Sequence, residues 1–337
     1  VHPDLQPAWA RRRRRSWLNG ITLGLATMLL GAAGLVQAAG SVLDGAGSVD
    51  ALASGVLTAS GGPVENYLLV GSDTREGLDP TSPDAGGIGT TADVQGRRSD
   101  TVMVLRYDRD SGDVALVSLP RDLWVDIPGH GSGRINSAYA KGPDVLVRTV
   151  QESLGLPIHH YLEVDFQGFK DIVDAVGGVE VCFLAPARDA HTGLDIPEAG
   201  CHVLDGVQGL AFARSRYFES LVDGEWVTDP TSDLGRTQRQ RLFVQSTLEA
   251  AVDRVSANPF RAGELAAATT AALRTDPDLD LAQLALRLRP VAGGGVASYA
   301  LPVVPETIDG AAVLRLGDGA GAVLAYFRGD GPAPVAS

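Results

Sequence analysis

The 337 residues carry a net charge of −13, are 45% apolar and include two cysteines. That length and apolar content suffice for a real core and argue against intrinsic disorder. The acidic balance argues against nonspecific binding to duplex nucleic acid, and two cysteines exclude a disulfide-dense mini-protein.

The average hides a division. Residues 1–16 hold five arginines (Arg11 to Arg15) and one acid, Asp4, for a net +4, and the other 321 residues sum to −17. From Ser16 to Leu43 no residue is charged, and Trp17 to Ala39 is a run of 23 residues. As a helix rising about 1.5 Å per residue, that run crosses a hydrocarbon core of about 30 Å. The arginines before it fix the orientation by the positive-inside rule. The expected organisation is a cytoplasmic basic tail over 1–16, a transmembrane helix over 17–40 and an extracytoplasmic remainder. A cleaved signal peptide is the rival reading, because Val36-Gln37-Ala38 resembles a cleavage site. The apolar run nevertheless exceeds the about 7–15 residues of a signal core. Both readings place the acidic body outside the cytoplasm.

Residues 41–63 are mostly Gly, Ala, Ser and Asp with scattered Val and Leu, and read as a linker. A single domain over 64–330 and a tail over 331–337 follow. Asn66 to Gly71 predicts a buried strand. Arg75 to Gly96, rich in Gly, Pro, Thr and Asp, reads as a long functional loop. Thr101 to Tyr107 and Val114 to Leu119 predict strands joined in a hairpin across Asp110-Ser111-Gly112-Asp113. Apolar residues at Leu146, Val147, Val150 and Leu154 mark a helix from Pro143 closed by Gly155. Tyr161 to Val164 and Val179 to Phe183 read as strands, with a helix over Phe166 to Val176 between them. Asp205 and Asp233 open helices in the manner of N-caps, and residues 256–330 add one or two helices and short strands. This order predicts an α/β domain with a mixed sheet, since the hairpin requires antiparallel neighbours.

Cys182 and Cys201 both fall in the exported part, where disulfides persist. Joined, they close a loop worth about 3 kcal/mol in the chain-entropy model. The alternative is two buried thiols; neither belongs to the C-x-x-C pair of a metal site.

Arginines interrupt the acidic body in clusters: Arg97-Arg98, Arg121, Arg214 with Arg216, and Arg236 with Arg239 and Arg241. The last group is physically odd, because cations in a first helical turn oppose the positive end of the helix dipole. An anion bound there by backbone N–H groups and guanidinium forks removes the conflict. Arg236 and Gln240, four apart, share one face. Any single arginine of this kind is commonly an ordinary ion-pair partner, but the ends of strands and helices gather at one edge of an α/β sheet. Asp73 follows the first strand and Asp100 precedes the second. In antiparallel neighbours the two carboxylates reach one place, where they could hold Mg²⁺ or Mn²⁺; as turn or capping residues they would need no metal. No G-x-S-x-G, P-loop or H-E-x-x-H is present, and the six histidines form no metal-spaced set.

Nine motifs in order resemble the LytR-CpsA-Psr proteins of bacterial envelopes. They begin at Leu68–Arg75, Arg98–Thr101, Ser118–Asp122 and Arg134–Tyr139. They continue at Asp165–Phe169, Asp174–Val179, Leu204–Gln208, Ala213–Arg216 and Asp233–Gln240. The resemblance implies a central mixed sheet between helices with an apolar groove for a lipid tail. It also implies a phosphotransferase on the outer membrane face, moving a glycopolymer from a polyprenyl diphosphate carrier onto peptidoglycan. Carried over by motif, Arg97, Arg98, Arg121, Arg214, Arg216, Arg236 and Gln240 would bind the diphosphate, with the metal near Asp73 and Asp100. Arg121, Asp73 and Asp100 would be the catalytic residues. No general base is evident; Asp122 and Asp233 are candidates, with helix capping the competing role for Asp233. Arg134 stands where the family often has Lys, and the chain runs to Ser337 without the additional domain some members carry, so a single-domain ligase is expected. A polyprenyl diphosphate phosphatase and a non-catalytic lipid- or polymer-binding or regulatory protein are the alternatives.

Overall fold

The computed structural model describes residues 47–49, 52–53, 55–73, 99–231, 233–257, 265, 269–281, 284, 287–288 and 295–335. The tail and span expected over 1–40, the loop over 75–96, and Arg97 and Arg98 lie outside the described residues. Among the described residues no helix is long and apolar enough to cross a membrane.

The chain opens with strands β1 (Gly47–Ser48), β2 (Val64–Ser72), β3 (Ser99–Asp108), β4 (Val114–Ser118), β5 (Trp124–Ile127) and β6 (Gly131–Arg134). Helices α1 (Ile135–Tyr139) and α2 (Pro143–Leu154) follow. The middle holds β7 (His160–Val164), α3 (Phe166–Ala175), β8 (Val179–Phe183), β9 (Ala187–Asp189), β10 (Leu194–Ile196), β11 (Gly200–Leu204) and α4 (Gly206–Arg214). Then come β12 (Glu219–Val222), β13 (Glu225–Thr228) and the long α5 (Asp233–Ala257). The last elements are β14 (Leu273–Thr275), β15 (Ala297–Ala300), β16 (Val303–Ile308), β17 (Ala311–Leu316) and α6 (Ala320–Arg328).

A seven-stranded sheet in the order β1-β14-β7-β2-β3-β4-β15 forms the centre. β2 runs parallel to β7 and antiparallel to β3, β3 is antiparallel to β4, and β4 is parallel to β15, so the sheet is mixed as expected. Strand alternation sends successive side chains to opposite faces. Leu68, Val70, Val102, Val104, Ala115 and Val117 face one core, shared with Leu146, Val147 and Val150 of α2 and with Val323, Leu324 and Phe327 of α6. Tyr67, Met103, Leu105 and Leu116 face the other, beneath Val244, Leu248 and Val252 of α5. β4 is buried along its whole length because both faces are covered. A third cluster joins α3, α4 and β8 through Val173, Val181 and Phe212, with Phe243 of α5 at its centre.

Local chemistry sets the helix ends. Pro143 opens α2, and Gly155, with φ +67°, closes it in the left-handed conformation that glycine adopts without strain. Asp165 and Asp205 each accept a hydrogen bond from the backbone N–H three residues on, Gly168 at 2.7 Å and Gln208 at 2.9 Å. Cys182 and Cys201 stand directly opposite in the antiparallel β8–β11 pair and form the disulfide.

One expectation is revised. Part of the stretch read as linker is built into the domain: β1 adds to the sheet beside β14, and Val49 and Val56 are buried in the first core. The partner strand lies over two hundred residues away, so no local period shows it.

Candidate active site

β2, β4 and β7 run the same way, so their C-terminal ends and the start of β3 share one end of the sheet. Arg121 follows β4 there. α5 brings its N-terminus to the same place, and the loop after α4 brings Arg216.

These segments meet on one carboxylate. Asp233 Oδ2 is 3.2 Å from Arg121 Nε, and its Oδ1 is 2.9 Å from Arg236 Nη2 and 3.6 Å from Arg216 Nε. Asp122 extends the group, with Oδ2 3.6 Å from Arg121 Nε and Oδ1 3.3 Å from Arg134 Nε. Two carboxylates thus meet four guanidinium groups from four separate stretches of chain. Asp233 is the first residue of α5, where its negative charge suits the helix dipole. It therefore supplies part of the anion that the arginines of this helical turn require, and its carboxylate serves as an arginine hub rather than only as a cap.

The neighbouring expected residues are placed as follows. Arg236 and Gln240 are buried one turn apart on α5. Arg214, the last residue of α4, stacks its guanidinium 4.8 Å over the Phe166 ring. Arg239 braces the segment carrying Arg216. It donates to Asp229 Oδ2 and to the Ser215 carbonyl, each at 2.8 Å, and lies over the Phe218 ring. Arg241 is buried as well, and desolvation lowers its pKa.

Asp73 stands half-buried just past β2. The β2–β3 register pairs Gly71 with Thr101 and then Ser72 with Ser99, a bulge that sets Asp100 out of the ladder beside the end of β2. A Cβ at Gly71 would come within 3.0 Å of the Thr101 Cβ, so glycine permits this close crossing. The side chain of Asp100 is outside the described residues. Behind Asp73, the Tyr139 hydroxyl donates to Glu163 Oε1 at 2.9 Å and lies 3.1 Å from Ser72 Oγ, and the Tyr161 hydroxyl donates to Glu163 Oε2. Glu163 escaped the sequence reading because it sits as a lone acid in a strand; its partner Tyr139 closes the Arg134–Tyr139 motif. A close group of metal-ligand types among the described residues, Glu180 with Cys182 and Cys201, has both sulfurs committed to the disulfide.

The family model for the LytR_cpsA_psr family matches residues 52–320. The chain belongs to that family. It is 38% identical over 243 residues to a probable cell wall biosynthesis protein, LcpB, of Corynebacterium glutamicum, covering 71% of this chain and 54% of that protein. It is 32% identical over 320 residues to a polyisoprenyl-teichoic acid–peptidoglycan teichoic acid transferase, TagU, of Oceanobacillus iheyensis, covering 89% and 88%. Thus the chain spans about half the length of one such relative and most of the other. Among solved structures, a LytR-Csp2A-Psr enzyme from Actinomyces oris aligns with TM-score 0.66 at 27% identity, covering 84% of this chain and 95% of that one. TagT with bound octaprenyl pyrophosphate lipid, at 21% identity and TM-score 0.56, shares the fold. The mixed sheet described above is therefore the family's fold.

Proposed function

We propose that this chain transfers a glycopolymer from a polyprenyl diphosphate carrier onto peptidoglycan at the outer face of the membrane, anchored by the helix expected over 17–40. The observation that carries the reading is the convergence of Arg121, Arg216 and Arg236 on Asp233 at the open end of the sheet. Guanidinium groups bind phosphate oxygens two at a time, and phosphoryl transfer depends chiefly on positioning and charge neutralisation. The names of the relatives, a teichoic acid–peptidoglycan transferase among them, point the same way.

In this reading a sugar hydroxyl of the acceptor attacks the phosphorus next to the polymer. A new O–P bond forms, the bond to the bridging oxygen breaks, polyprenyl phosphate departs with the electron pair, and the hydroxyl proton ends on that departing phosphate. Arg121, Arg214, Arg216 and Arg236, with Gln240 beside them and Arg97 and Arg98 from the adjoining stretch, hold the diphosphate and stabilise the departing charge. Asp73 and Asp100 would hold Mg²⁺ or Mn²⁺: the bulge brings their backbones together, and an all-oxygen donor set suits either ion. Such an ion supplies Lewis-acid polarisation of the attacked phosphoryl group.

The test uses the full chain in lipid vesicles with a polyprenyl diphosphate-linked glycopolymer, peptidoglycan and Mg²⁺. Covalent attachment of polymer to peptidoglycan with release of polyprenyl phosphate is expected, and chelation should stop it. Phosphate release without attachment would establish a phosphatase instead. Lipid binding by the unsubstituted chain with no turnover of any kind would establish a binding protein, whereas Asp73→Ala and Asp100→Ala chains that keep lipid binding and lose metal-dependent turnover would exclude one.

A further inference from the structure

A second site adjoins the arginine cluster. A cleft of about 540 Å³ lies between the β5–β6 hairpin, the end of α2 and β17, within the range of about 300–1,000 Å³ common for small-ligand sites. The hairpin shows why it is polar. Val125 and Ile127 point into the core, so Trp124 and Asp126 project from the opposite face. Their cross-strand neighbours there are Arg134 and Ser132. Arg134 holds Asp122, and Asp122 meets Arg121, so a chain of ion pairs links the strand opposite Trp124 to the cluster around Asp233.

We propose that this cleft binds a short run of neutral pyranose sugars, the acceptor glycan strand of the transfer, an assignment that rests on the transferase reading above. Three observations select that ligand. An indole offers a broad flat face to the C–H face of a sugar ring. Asp126 and Glu152, both exposed, offer acceptors to hydroxyl and amide N–H groups. The lining sets two carboxylates against a single guanidinium, Arg315, itself paired with Glu306 at 2.7 Å, so the charge balance of the cleft disfavours a polyanion. A carrier-borne polymer rich in phosphate is repelled by the two carboxylates, whereas a strand of N-acetylated sugars is not. Ser132 donates to Asp126 Oδ1 and Ser153 to the Asp126 carbonyl, which fixes the carboxylate and strand without filling the cleft. The polymer and the acceptor then approach the diphosphate from different sides, as a group transfer between two large saccharides requires.

The experiment is saturation-transfer NMR on the full chain in detergent, with the uncharged β-1,4-linked N-acetylglucosamine tetrasaccharide as probe. Wild type should give a saturable signal that drops at least tenfold in Trp124→Ala and is retained in Trp124→Tyr. In the transfer assay Trp124→Ala should raise the acceptor KM with little change in kcat or in the donor KM. Because Trp124 lies beside the core, Glu152→Gln on the exposed rim provides the second variant and should weaken the probe signal severalfold with unchanged melting temperature. The NMR reading needs no turnover, so it separates failure of the cleft from failure of the transferase. Turnover with no tetrasaccharide signal in wild type, or a signal indifferent to both substitutions, overturns the proposal. A donor KM that rises in place of the acceptor KM overturns the acceptor assignment in favour of the carrier-borne polymer.

Discussion

Two carboxylates in this protein gather guanidinium groups, and they do so to opposite ends. Glu65, on β2, meets Arg109, Arg287 and the Tyr67 hydroxyl, and its side chain is 1% exposed. Asp233 meets Arg121, Arg216 and Arg236, with its side chain 26% exposed and that of Arg216 38% exposed. The Glu65 carboxylate is closed over by the second core, where Tyr67 packs, while Arg109 and Arg287 stay 34% and 28% exposed. The Asp233 cluster stands at the end of the sheet, where an incoming anion can join it. The pairing chemistry is the same in both. What differs is the exposure of the central carboxylate and its place, within the sheet for Glu65 and at the sheet's end for Asp233.

Substitutions that act on one cluster and spare the other sharpen the contrast. The largest effect is expected from Arg236→Lys, which keeps the charge and loses the fork. Transfer should fall by about 10²-fold, measured at a temperature where circular dichroism shows the variant folded, because Arg236 is buried. Unchanged transfer would remove Arg236 from the chemistry. Next comes Glu65→Gln, which leaves two guanidinium groups without their carboxylate and should cost about 2 kcal/mol in a urea unfolding series while the donor KM stays put. A loss of donor affinity would show that the two clusters are coupled.

Acid separates them further. Burial raises the Glu65 pKa, but hydrogen bonds from Arg109 and Tyr67 and the charge of Arg287 outweigh it, so the net shift is downward from the ordinary value of 4.5. Burial lowers His159 from 6.5; its Nδ1 accepts the Asn66 N–H at 2.9 Å, which requires an unprotonated nitrogen. In both cases the unfolded chain takes up protons at a higher pH than the folded one. Their contribution is whole above those ordinary values and is lost as pH falls through the lower folded-state values. Stability should therefore decline from about pH 6.5 downward and more steeply below about 4.5. Glu65→Gln should flatten the lower limb, and a curve unaltered by that change would mean other acids control it. The smallest effect belongs to Asp122→Asn, which loosens Arg121 and Arg134. A partly exposed pair of this kind is worth about 1 kcal/mol at most, so the donor KM should rise by about fivefold or less.

The sequence made some of this legible and hid the rest for physical reasons. The β3–β4 hairpin, α2 between Pro143 and Gly155, and α3 after its Asp165 cap follow from contacts within a few residues, and each was readable. So were the arginines as a set, because a basic cluster in an acidic body is a local anomaly. The partner of those arginines was not. Asp233 looks like a cap because the residues that claim its carboxylate include Arg121, 112 positions upstream. The network of Ser72, Tyr139 and Glu163 depends likewise on β2 lying beside β7, a parallel pairing that no local pattern encodes. The same holds for β1, whose partner β14 is brought in only after α5 has crossed the sheet.

The disulfide has a consequence for how the molecule survives proteolysis. Cys182 and Cys201 face each other at the base of an excursion that runs out through β9 and returns through β10. The bridge turns that excursion into a closed handle. A protease that cuts anywhere from Leu184 to Ala199 leaves one covalent molecule, with both halves still joined at the sulfurs. Such damage is silent on a non-reducing gel and shows as two fragments only after reduction.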